Sequence, residues 1–230
     1  MKLNDSCKYC EVAQLCLPLS VNALPHSAFD EIVSRRIEME KGSTVFNLGN
    51  TFTSFYAVKH GIFKIFIITE DGREQIESFY YPGEFIGFDA VDSGYYRGDL
   101  QALTDSCVCE IPYASFIELC NSVPSLQEHL IKLMSQRIGQ NHCLRLNTKS
   151  IEKIASFLIN FTSRMDRFKP NQFNYHFPMS RAEIGDHLGL TAETVTRTFT
   201  ILRNKQIIEC SGKTLTIHNL RALQKLSFVV

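Results

Sequence analysis

The sequence predicts an α+β protein with an N-terminal β-roll or jelly roll, then a long helix, then a C-terminal winged helix-turn-helix. Three observations predict this order. Glycines separate short aromatic and β-branched runs between about residues 40 and 112, a helical segment follows, and two capped helices precede a hairpin near the C-terminus. The predicted parts are residues 1–26, a cysteine-rich segment; 27–117, the β-roll; 118–146, the long helix; and 147–230, the winged domain.

Composition limits the classes of function. The 230 residues can form two domains with separate cores, and 24 basic residues balance 24 acidic ones. Any nucleic-acid binding must therefore come from a local motif rather than from the overall charge. No apolar signal region and no run of eighteen apolar residues occurs, so we expect a cytoplasmic protein without membrane contact. In that compartment the eight cysteines should be reduced thiols.

Three of these cysteines form the run Cys7-x2-Cys10-x5-Cys16. Two thiols separated by two residues can turn toward one ion, and a third can close over it if the fold supplies a fourth ligand. The spacing therefore predicts a metal site. The alternative is a frayed N-terminal tail in which the thiols have no role.

The β-roll is predicted to follow an amphipathic helix over Ser27–Glu38. Its strands are predicted at Phe55–Val58, Ile62–Ile68, Gln75–Tyr81 and Ala102–Ile111, with a hairpin turn at Glu70-Asp71-Gly72. The last strand carries Cys107 and Cys109 on one face, because side chains alternate along a strand. Either thiol could complete the metal site, and either could instead be a small buried side chain.

The long helix carries a seam at alternating spacings of three and four, which is typical of a two-stranded coiled coil. The seam residues are Ile131, Met134, Ile138, Asn141 and Arg145. This pattern predicts a dimerisation helix, and a lone polar seam residue such as Asn141 can fix register and strand number. The alternative is a helix that packs on the β-roll of its own chain.

The last part of the chain predicts a helix-turn-helix with a wing. Its elements are a helix over Ser150–Met165, a short strand within Phe173–Pro178, a helix with the capping box Ser180/Glu183 that ends at Gly189, a second helix over Ala192–Asn204 capped by Thr191, and a hairpin over Ile207–Ile217. An ordinary helical hairpin is the alternative. The caps, the glycine turn and the wing together favour DNA binding.

Glu193, Thr196 and Arg197 share a face near the start of the second helix, where they would enter the major groove. Glutamate can accept from cytosine and arginine can donate two bonds to guanine, whereas an exposed pair four residues apart can also be a solvated salt bridge. Five basic and four acidic residues between Arg181 and Lys213 give one copy weak attraction to phosphate. A dimer on two half-sites one helical turn apart is therefore favoured.

Nearly all of the chain from Cys7 to Leu226 resembles the Crp/Fnr superfamily, and within it the FNR-type regulators. The most specific matches are the cysteine run, Val108-Cys109-Glu110-Ile111-Pro112, Thr69-Glu70-Asp71-Gly72, Gly87-Phe88-Asp89-Ala90 and the stretch from Leu188 to Arg197. The resemblance implies that the β-roll is a sensor domain of the cyclic-nucleotide-binding type, and that the winged domain binds double-stranded DNA as part of a homodimer.

The resemblance further implies that Cys7, Cys10, Cys16 and Cys109 bind an oxygen-labile 4Fe-4S cluster, with a 2Fe-2S form after exposure to oxygen, and that Cys107 is a bystander. It implies that the intact cluster favours the dimer, which binds palindromic promoter sites and acts with RNA polymerase, so that oxygen controls anaerobic gene expression. Glutamate and arginine at the base-reading positions imply a half-site like TTGAT.

Two residues depart from the family pattern. Thr196 replaces a serine, which puts the preference at one base pair in question, and neutral Asn141 replaces an acidic seam residue, so the dimer could form more readily without the cluster.

The cyclic-nucleotide branch needs a glutamate for the ribose and an Arg-Ser pair for the phosphate. Here Arg97 precedes a glycine and Phe88 or Asp89 occupies the glutamate region, so no cyclic nucleotide is expected.

A redox enzyme and a zinc protein are the other functions to weigh. No glycine-rich dinucleotide loop follows a strand, and no nucleophile with a base and an orienting group stands out, so no enzyme activity is expected. Zinc also prefers thiolates. Structural zinc on the same four cysteines, or another small-molecule effector, is therefore the alternative to the cluster.

Overall fold

The computed structural model describes residues 6–13, 15–16, 26–144, 149–168 and 173–227, and for residues 26–27 and 136–144 it describes the backbone alone. The chain divides into two compact units, the first comprising residues 1–73 and 77–135 and the second residues 74–76 and 136–230. Within the described ranges, no helix has both the length and the apolar character that crossing a membrane requires.

The first unit is a β-roll preceded by a short helix, α1, over His26–Ile32. Its strands are β1 (Arg35–Met39), β2 (Thr44–Phe46), β3 (Ser54–His60), β4 (Phe63–Ile68), β5 (Glu74–Tyr80), β6 (Phe85–Ile86), β7 (Asp99–Ala102) and β8 (Ser106–Pro112). They form two four-stranded sheets with the strand orders β1-β8-β3-β6 and β2-β7-β4-β5. The predicted β-roll is therefore confirmed.

The core of this unit lies between the two sheets. Both sheets contribute buried side chains, among them Phe46, Tyr56, Val58, Phe63, Ile65, Ile86, Leu100 and Val108. Because alternate residues of a strand face opposite sides, Val108 points into this core while Cys107 and Cys109 point to the outer face of their sheet. That outer face is therefore the place where a thiol site can form.

The predicted helix over Ser27–Glu38 is wrong in its second half. α1 ends at Ile32, and residues from Arg35 onward form β1, which pairs with β8. Ile37 and Met39 stand two residues apart and pack against the core, so the segment also satisfies the strand period. The segment fits both the helical period and the strand period, and its pairing with a distant strand selects the strand. Local periodicity alone could not make that choice.

The predicted strand over Ala102–Ile111 is divided in two. β7 ends at Ala102 and β8 begins at Ser106, and the two strands belong to different sheets. Asp105, in the turn between them, accepts a hydrogen bond from the backbone N–H of Lys41 at 3.0 Å.

The predicted hairpin turn between β4 and β5 is confirmed, with Gly72 at a φ of 77°.

Two helices follow the roll, α2 over Tyr113–Ser122 and α3 over Pro124–Leu144. α3 is the long helix that the sequence predicts. Of its predicted seam residues, Ile131 is 70% exposed in the single chain and Met134 is partly buried. The side chains of Ile138 and Asn141 lie outside the described set, and Arg145 lies outside the described residues. The dimer seam therefore stays a prediction.

Beyond α3, the described part of the second unit contains four helices and one sheet. The helices are α4 (Ser150–Phe168), α5 (Arg181–Leu188), α6 (Ala192–Asn204) and α7 (Leu220–Leu226), and the strands are β9 (Asn174–His176), β10 (Ile208–Ser211) and β11 (Thr214–Ile217). The strand order is β10-β11-β9. The capping box between Ser180 and Glu183 and the N-cap Thr191 are both formed. The predicted winged helix-turn-helix is therefore confirmed.

Candidate metal centre and nucleic-acid interface

Four cysteines line one enclosed cavity on the outer face of the β1-β8-β3-β6 sheet. Cys7, Cys10 and Cys16 come from the N-terminal segment, Cys109 comes from β8, and all four are free thiols. Cys10 is partly buried and the other three are buried. The remaining lining residues are Ser6, Val12, Phe29, Arg36, Ala57 and Lys59. The structure thus brings together the four thiols that the resemblance implies, and it leaves Cys107 outside the cavity.

Tight turns bring the three N-terminal thiols to one side. The first is a short 3-10 turn over Cys7–Tyr9. In the next two, the N–H of Ala13 donates to the carbonyl of Cys10 at 3.0 Å, and the N–H of Cys16 donates to the carbonyl of Val12 at 2.9 Å. Val12 is fully buried. Over the described residues 6–13 and 15–16, turns with the buried Val12 as an apolar anchor therefore stand where the alternative expected a frayed tail.

Asp30 of α1 holds the start of this segment. One carboxylate oxygen accepts from the N–H of Cys7 at 2.9 Å, and the other accepts from the hydroxyl of Ser6 at 2.5 Å. The carboxylate also pairs with Arg36 of β1 at 2.6 Å, and Arg36 donates to the sulfur of Cys7 at 3.6 Å. Burial raises the pKa of Asp30, but hydrogen bonds from these three partners outweigh it and the net pKa is lowered. An ionised Asp30 therefore ties the cysteine segment to α1 and β1.

Cys109 lies on the middle of the three strands that form the floor of the cavity. In the sheet register it stands opposite Arg36 of β1 and Ala57 of β3. Ala57 presents only a methyl group, so the sheet leaves room above the sulfur of Cys109. Arg36 and Lys59 are the two cationic side chains that line the cavity.

Burial sets the acidity of the thiols. It raises the pKa of Cys109 to about 11, against the lowering effect of Arg36 and Lys59. It raises the pKa of Cys7 to about 12, with a further contribution from Asp30, and it raises the pKa of Cys16 well above the ordinary value. Without a bound cation these thiols are protonated at neutral pH, and a metal must displace their protons when it binds.

The donor set of this cavity has a definite chemistry. Four thiolates in a closed site are the ligands of tetrahedral zinc and of iron-sulfur clusters, and they leave no open position for a substrate. The positive charges of Arg36 and Lys59 offset part of the negative charge that four thiolates carry. The residues present therefore fit a four-sulfur metal group.

The remaining cysteines lie elsewhere. Cys107 faces Glu38 and His60. Cys120 is buried in α2 and Cys210 is partly buried in β10. Cys143 falls within α3, and its side chain is outside the described set.

The helix α6 presents the three predicted base-reading residues to solvent. Glu193, Thr196 and Arg197 are exposed, whereas Val195 beside them is fully buried. Among the contacts of the described residues, no ion pair or hydrogen bond joins Glu193 to Arg197, so the solvated salt bridge that their spacing allows is not formed. The hydroxyl of Thr196 donates to the carbonyl of Ala192 at 2.8 Å. Both charged groups are therefore available to base edges.

The two helices of the helix-turn-helix meet closely at Gly185, which the sequence analysis did not single out. The Gly185 carbonyl accepts from the N–H groups of Gly189 and Leu190, the latter at 2.8 Å. A Cβ atom at Gly185 would lie 2.5 Å from the carbonyl oxygen of Leu190. A glycine inside a short helix, four residues before its terminal glycine, is the signal that could have found this contact.

Arg181 is a second residue that sequence reasoning missed. Its guanidinium carbon lies 3.6 Å from the centre of the Phe199 ring, so it bridges α5 and α6 by a cation–π contact. Together with Arg203 it lines a pocket beside Thr196 and Thr200 on α6. This cluster adds positive charge next to the exposed face of α6, where a phosphate backbone would pass.

Arg97, which the sequence offers in place of the Arg-Ser pair of the cyclic-nucleotide branch, forms an ion pair at the surface of the roll. Its guanidinium donates to both carboxylate oxygens of Asp92, at 2.7 and 2.8 Å, and to the carbonyl of Asp89 at 2.7 Å. The Phe88 ring, in the region where a ribose-binding glutamate is expected, packs 4.8 Å from the ring of Phe55. Both positions therefore have partners within the roll.

Comparison with known proteins gives concordant matches. A family profile described as the cyclic nucleotide-binding domain matches residues 36–123, and one described as the Crp-like helix-turn-helix domain matches residues 152–226. The chain is 42% identical to the transcriptional activator protein FnrA of Stutzerimonas stutzeri, over 92% of this chain and 88% of that one. It is 36% identical to the fumarate and nitrate reduction regulatory protein of Escherichia coli K12, over 96% and 90%. The solved structure of FixK2 from Bradyrhizobium japonicum superposes with a TM-score of 0.72 at 25% identity, covering 85% of this chain and 98% of FixK2.

Proposed function

Since the chain belongs to the Crp/Fnr family of DNA-binding transcription regulators and is not an enzyme, we propose that it is an oxygen-responsive regulator of the FNR type whose DNA binding depends on an iron-sulfur cluster. The observation that carries the proposal is the convergence of Cys7, Cys10, Cys16 and Cys109 on one enclosed cavity. The 36–42% identity to two regulators named above gives that convergence its interpretation.

Eight of the lining residues have a part in holding the cluster. A 4Fe-4S cluster supplies, when bound, iron-sulfur bonds that are sensitive to oxygen, with a 2Fe-2S form expected after exposure. The four cysteines hold it, and Arg36 and Lys59 offset its charge. Val12 and Phe29, which are 0% and 1% exposed, exclude water from the apolar side.

The connection to the dimer runs through packed helices of the first unit. α1 contacts both the cysteine segment and α2, and only Val123 separates α2 from α3. A cysteine segment that loses its metal keeps the hydrogen bonds to Asp30 but not its tie to β8. Such a segment would let α1 and α2 move, and this movement would bias a marginal seam along Ile131, Met134, Ile138 and Asn141.

The DNA-binding state is proposed to be a homodimer on a palindromic site with TTGAT-like half-sites. Glu193, Thr196 and Arg197 of each copy would face base edges, and the cationic groups of Arg181 and Arg203 would lie near phosphates. RNA polymerase is the proposed partner, since one relative is by name a transcriptional activator. No cyclic nucleotide is proposed as effector, because Arg97 precedes a glycine rather than a serine and Phe88 or Asp89 occupies the region of the ribose-binding glutamate.

Anaerobic isolation tests the proposal. We expect about four iron and four sulfide per chain, a visible chromophore that air removes, and a parallel loss of dimer in sedimentation and of operator binding. A colourless protein that contains one zinc per chain would support structural zinc instead. A metal-free protein that binds its operator as tightly as the coloured one would contradict cluster dependence.

Replacing Arg197 by alanine tests the base-reading assignment. If Arg197 reads guanine, Arg197→Ala should lower discrimination at one G·C pair of each half-site by about 1–3 kcal/mol, roughly 5- to 150-fold in relative affinity. Fluorescence anisotropy on operators substituted one base pair at a time measures this. Arg197→Lys keeps the charge but loses the two-pronged donor, so it should lose discrimination while keeping the salt dependence. A uniform loss over all operators would mark Arg197 as a phosphate contact.

Replacing Asp30 by alanine tests whether it positions the cysteine segment. Asp30→Ala removes the acceptor of three hydrogen bonds that hold the cysteine segment. A loss of about 1.4 kcal/mol in metal binding, close to the contribution of one such bond, would let a competing chelator remove the metal at roughly tenfold lower concentration. Asp71→Ala is the matched control, because Asp71 pairs with Arg73 on the surface and such pairs contribute little. Equal metal retention in both variants would exclude the positioning role.

A further inference from the structure

A second group of metal-ligating side chains lies on the same sheet, outside the four-thiol cavity. Glu38 of β1, Cys107 of β8 and His60 of β3 come from three neighbouring strands, with Cys107 opposite both partners in the register. Their ligand atoms all lie within 4.8 Å of one another, and His60 Nε2 lies 3.1 Å from Glu38 Oε2. Three different strands therefore deliver one sulfur, one nitrogen and one oxygen to one point.

A register shift in β3 creates this arrangement. Ala57 stands opposite Cys109 and Val58 opposite Val108, but His60 rather than Lys59 stands opposite Cys107. The shift is a β-bulge, which inserts one extra residue into β3 between Val58 and His60. Without that residue, the alternation of side chains would turn His60 to the core side, where Val58 lies. The bulge turns its imidazole to the outer face instead.

The backbone next to this group is held firmly. Gly61 follows His60 with a φ of 87°, and a Cβ atom there would lie 2.7 Å from the Cα atom of Ser106, the residue before Cys107. The start of β8 therefore touches the turn that carries His60. This contact fixes the distance between the two ligands through the backbone and not only through side-chain rotamers.

The donor set selects the kind of ion. Thiolate, imidazole and carboxylate together suit a borderline-soft divalent ion such as Zn²⁺ rather than Mg²⁺ or Ca²⁺, which take oxygen ligands. Tetrahedral ligands at zinc distances lie about 3.4–3.6 Å apart, so small side-chain shifts from the present separations suffice. Cys107 is fully buried while His60 and Glu38 are exposed, so the fourth position would face water.

We propose that Glu38, His60 and Cys107 form a second metal site, which binds a single zinc-class divalent ion with one coordination position open to solvent. The site is separate from the four-thiol cavity, whose lining does not include any of the three. Lys59, the residue before His60, lines the neighbouring cavity. Binding converts the Cys107 thiol to a thiolate and releases its proton to solvent.

Cobalt spectroscopy tests the site, because Co²⁺ replaces Zn²⁺ and reports its ligands. The full-length variant Cys7→Ser/Cys10→Ser/Cys16→Ser removes the first site and leaves every strand unchanged. We expect it to bind one Co²⁺ per chain, with one sulfur-to-cobalt charge-transfer band and the visible bands of a four-coordinate ion. Zn²⁺ should displace it. His60→Ala and Cys107→Ser should each weaken binding at least tenfold, and Glu38→Gln should also weaken it.

Cys120→Ser is the matched control, since Cys120 is a buried cysteine of α2 outside both groups. When Cys120→Ser is added to the triple variant, the protein should still bind one Co²⁺ per chain with unchanged affinity. Absence of stoichiometric binding, or binding that survives both His60→Ala and Cys107→Ser, would overturn the site. If circular dichroism shows that the triple variant is unfolded, the Co²⁺ stoichiometry of the metal-free wild-type chain tests the site instead. The wild-type protein should take two Co²⁺ per chain and its His60→Ala variant only one, and equal stoichiometry in the two would overturn the site.

Discussion

Cys109→Ala should abolish the visible chromophore of the proposed cluster and lower operator affinity at least tenfold. Cys109 is the thiol that the sheet contributes to the cavity, while the other three thiols belong to one short segment of the chain. Without it, three thiols remain on a segment that Asp30 of α1 and Arg36 of β1 hold by hydrogen bonds. Loss of one ligand of four should therefore remove the metal and its tie to β8 together. Iron analysis and visible absorption of anaerobic protein measure the first effect, and operator binding measures the second.

Cys107→Ala is the matched control for this variant. Cys107 lies on the same strand and the same face, two residues away, and is also buried, but it faces Glu38 and His60. Both variants remove one buried sulfur, and each should cost about 1 kcal/mol of the unfolding free energy of the metal-free protein. Only Cys109→Ala should remove the chromophore, and Cys120→Ala, Cys143→Ala and Cys210→Ala should also leave it intact. Equal loss of iron from Cys107→Ala would refute the ligand assignment.

The comparison of Cys107 with Cys109 also indicates what the sequence can and cannot predict about the site. The run Cys7-x2-Cys10-x5-Cys16 predicts three thiols that converge, since their spacing is local. The fourth position depends on which part of the outer face the segment covers. Alternation gives Cys107 and Cys109 the same side, and family resemblance, not spacing, singled out Cys109. In the structure, α1 and the pair Asp30–Arg36 seat the segment over Cys109.

The fold was predictable where local signals agree with the tertiary contacts. The capping box at Ser180, the N-cap at Thr191 and the turn at Gly72 are short-range features, and all three are formed. The segment over Ser27–Glu38 failed in its second half, because β1 exists only through its pairing with β8, about seventy residues away. The bulge at His60 could not be predicted for the same reason, since it is defined by the partner strand.

Gly185→Val should unfold or distort the DNA-binding domain and abolish operator binding while leaving the chromophore of the first unit intact. The atoms that meet the new side chain are the backbone oxygen of Leu190, 2.5 Å from the Cβ position, and the backbone nitrogen of Ala192 at 3.4 Å. Backbone in a tight turn cannot rotate away as a side-chain end can, so α5 and α6 must separate. Overpacking of this kind costs roughly 1–3 kcal/mol, and the displaced α6 would no longer hold Glu193 and Arg197 at the same angle relative to α5.

Gly189→Ala separates this steric effect from the general effect of losing a glycine in the same turn. Gly189 has a φ of 65° and nothing lies within 4 Å of its Cβ position, so alanine there meets only the backbone strain of the left-handed region, about 1–2 kcal/mol. Gly189→Asn should cost less, because asparagine tolerates this conformation. Thermal unfolding should therefore rank Gly185→Val below Gly189→Ala and Gly189→Asn, and operator binding should survive only in the last two. If Gly185→Val bound operator like the wild type, the contact between Gly185 and Leu190 could not be what sets the angle of α6.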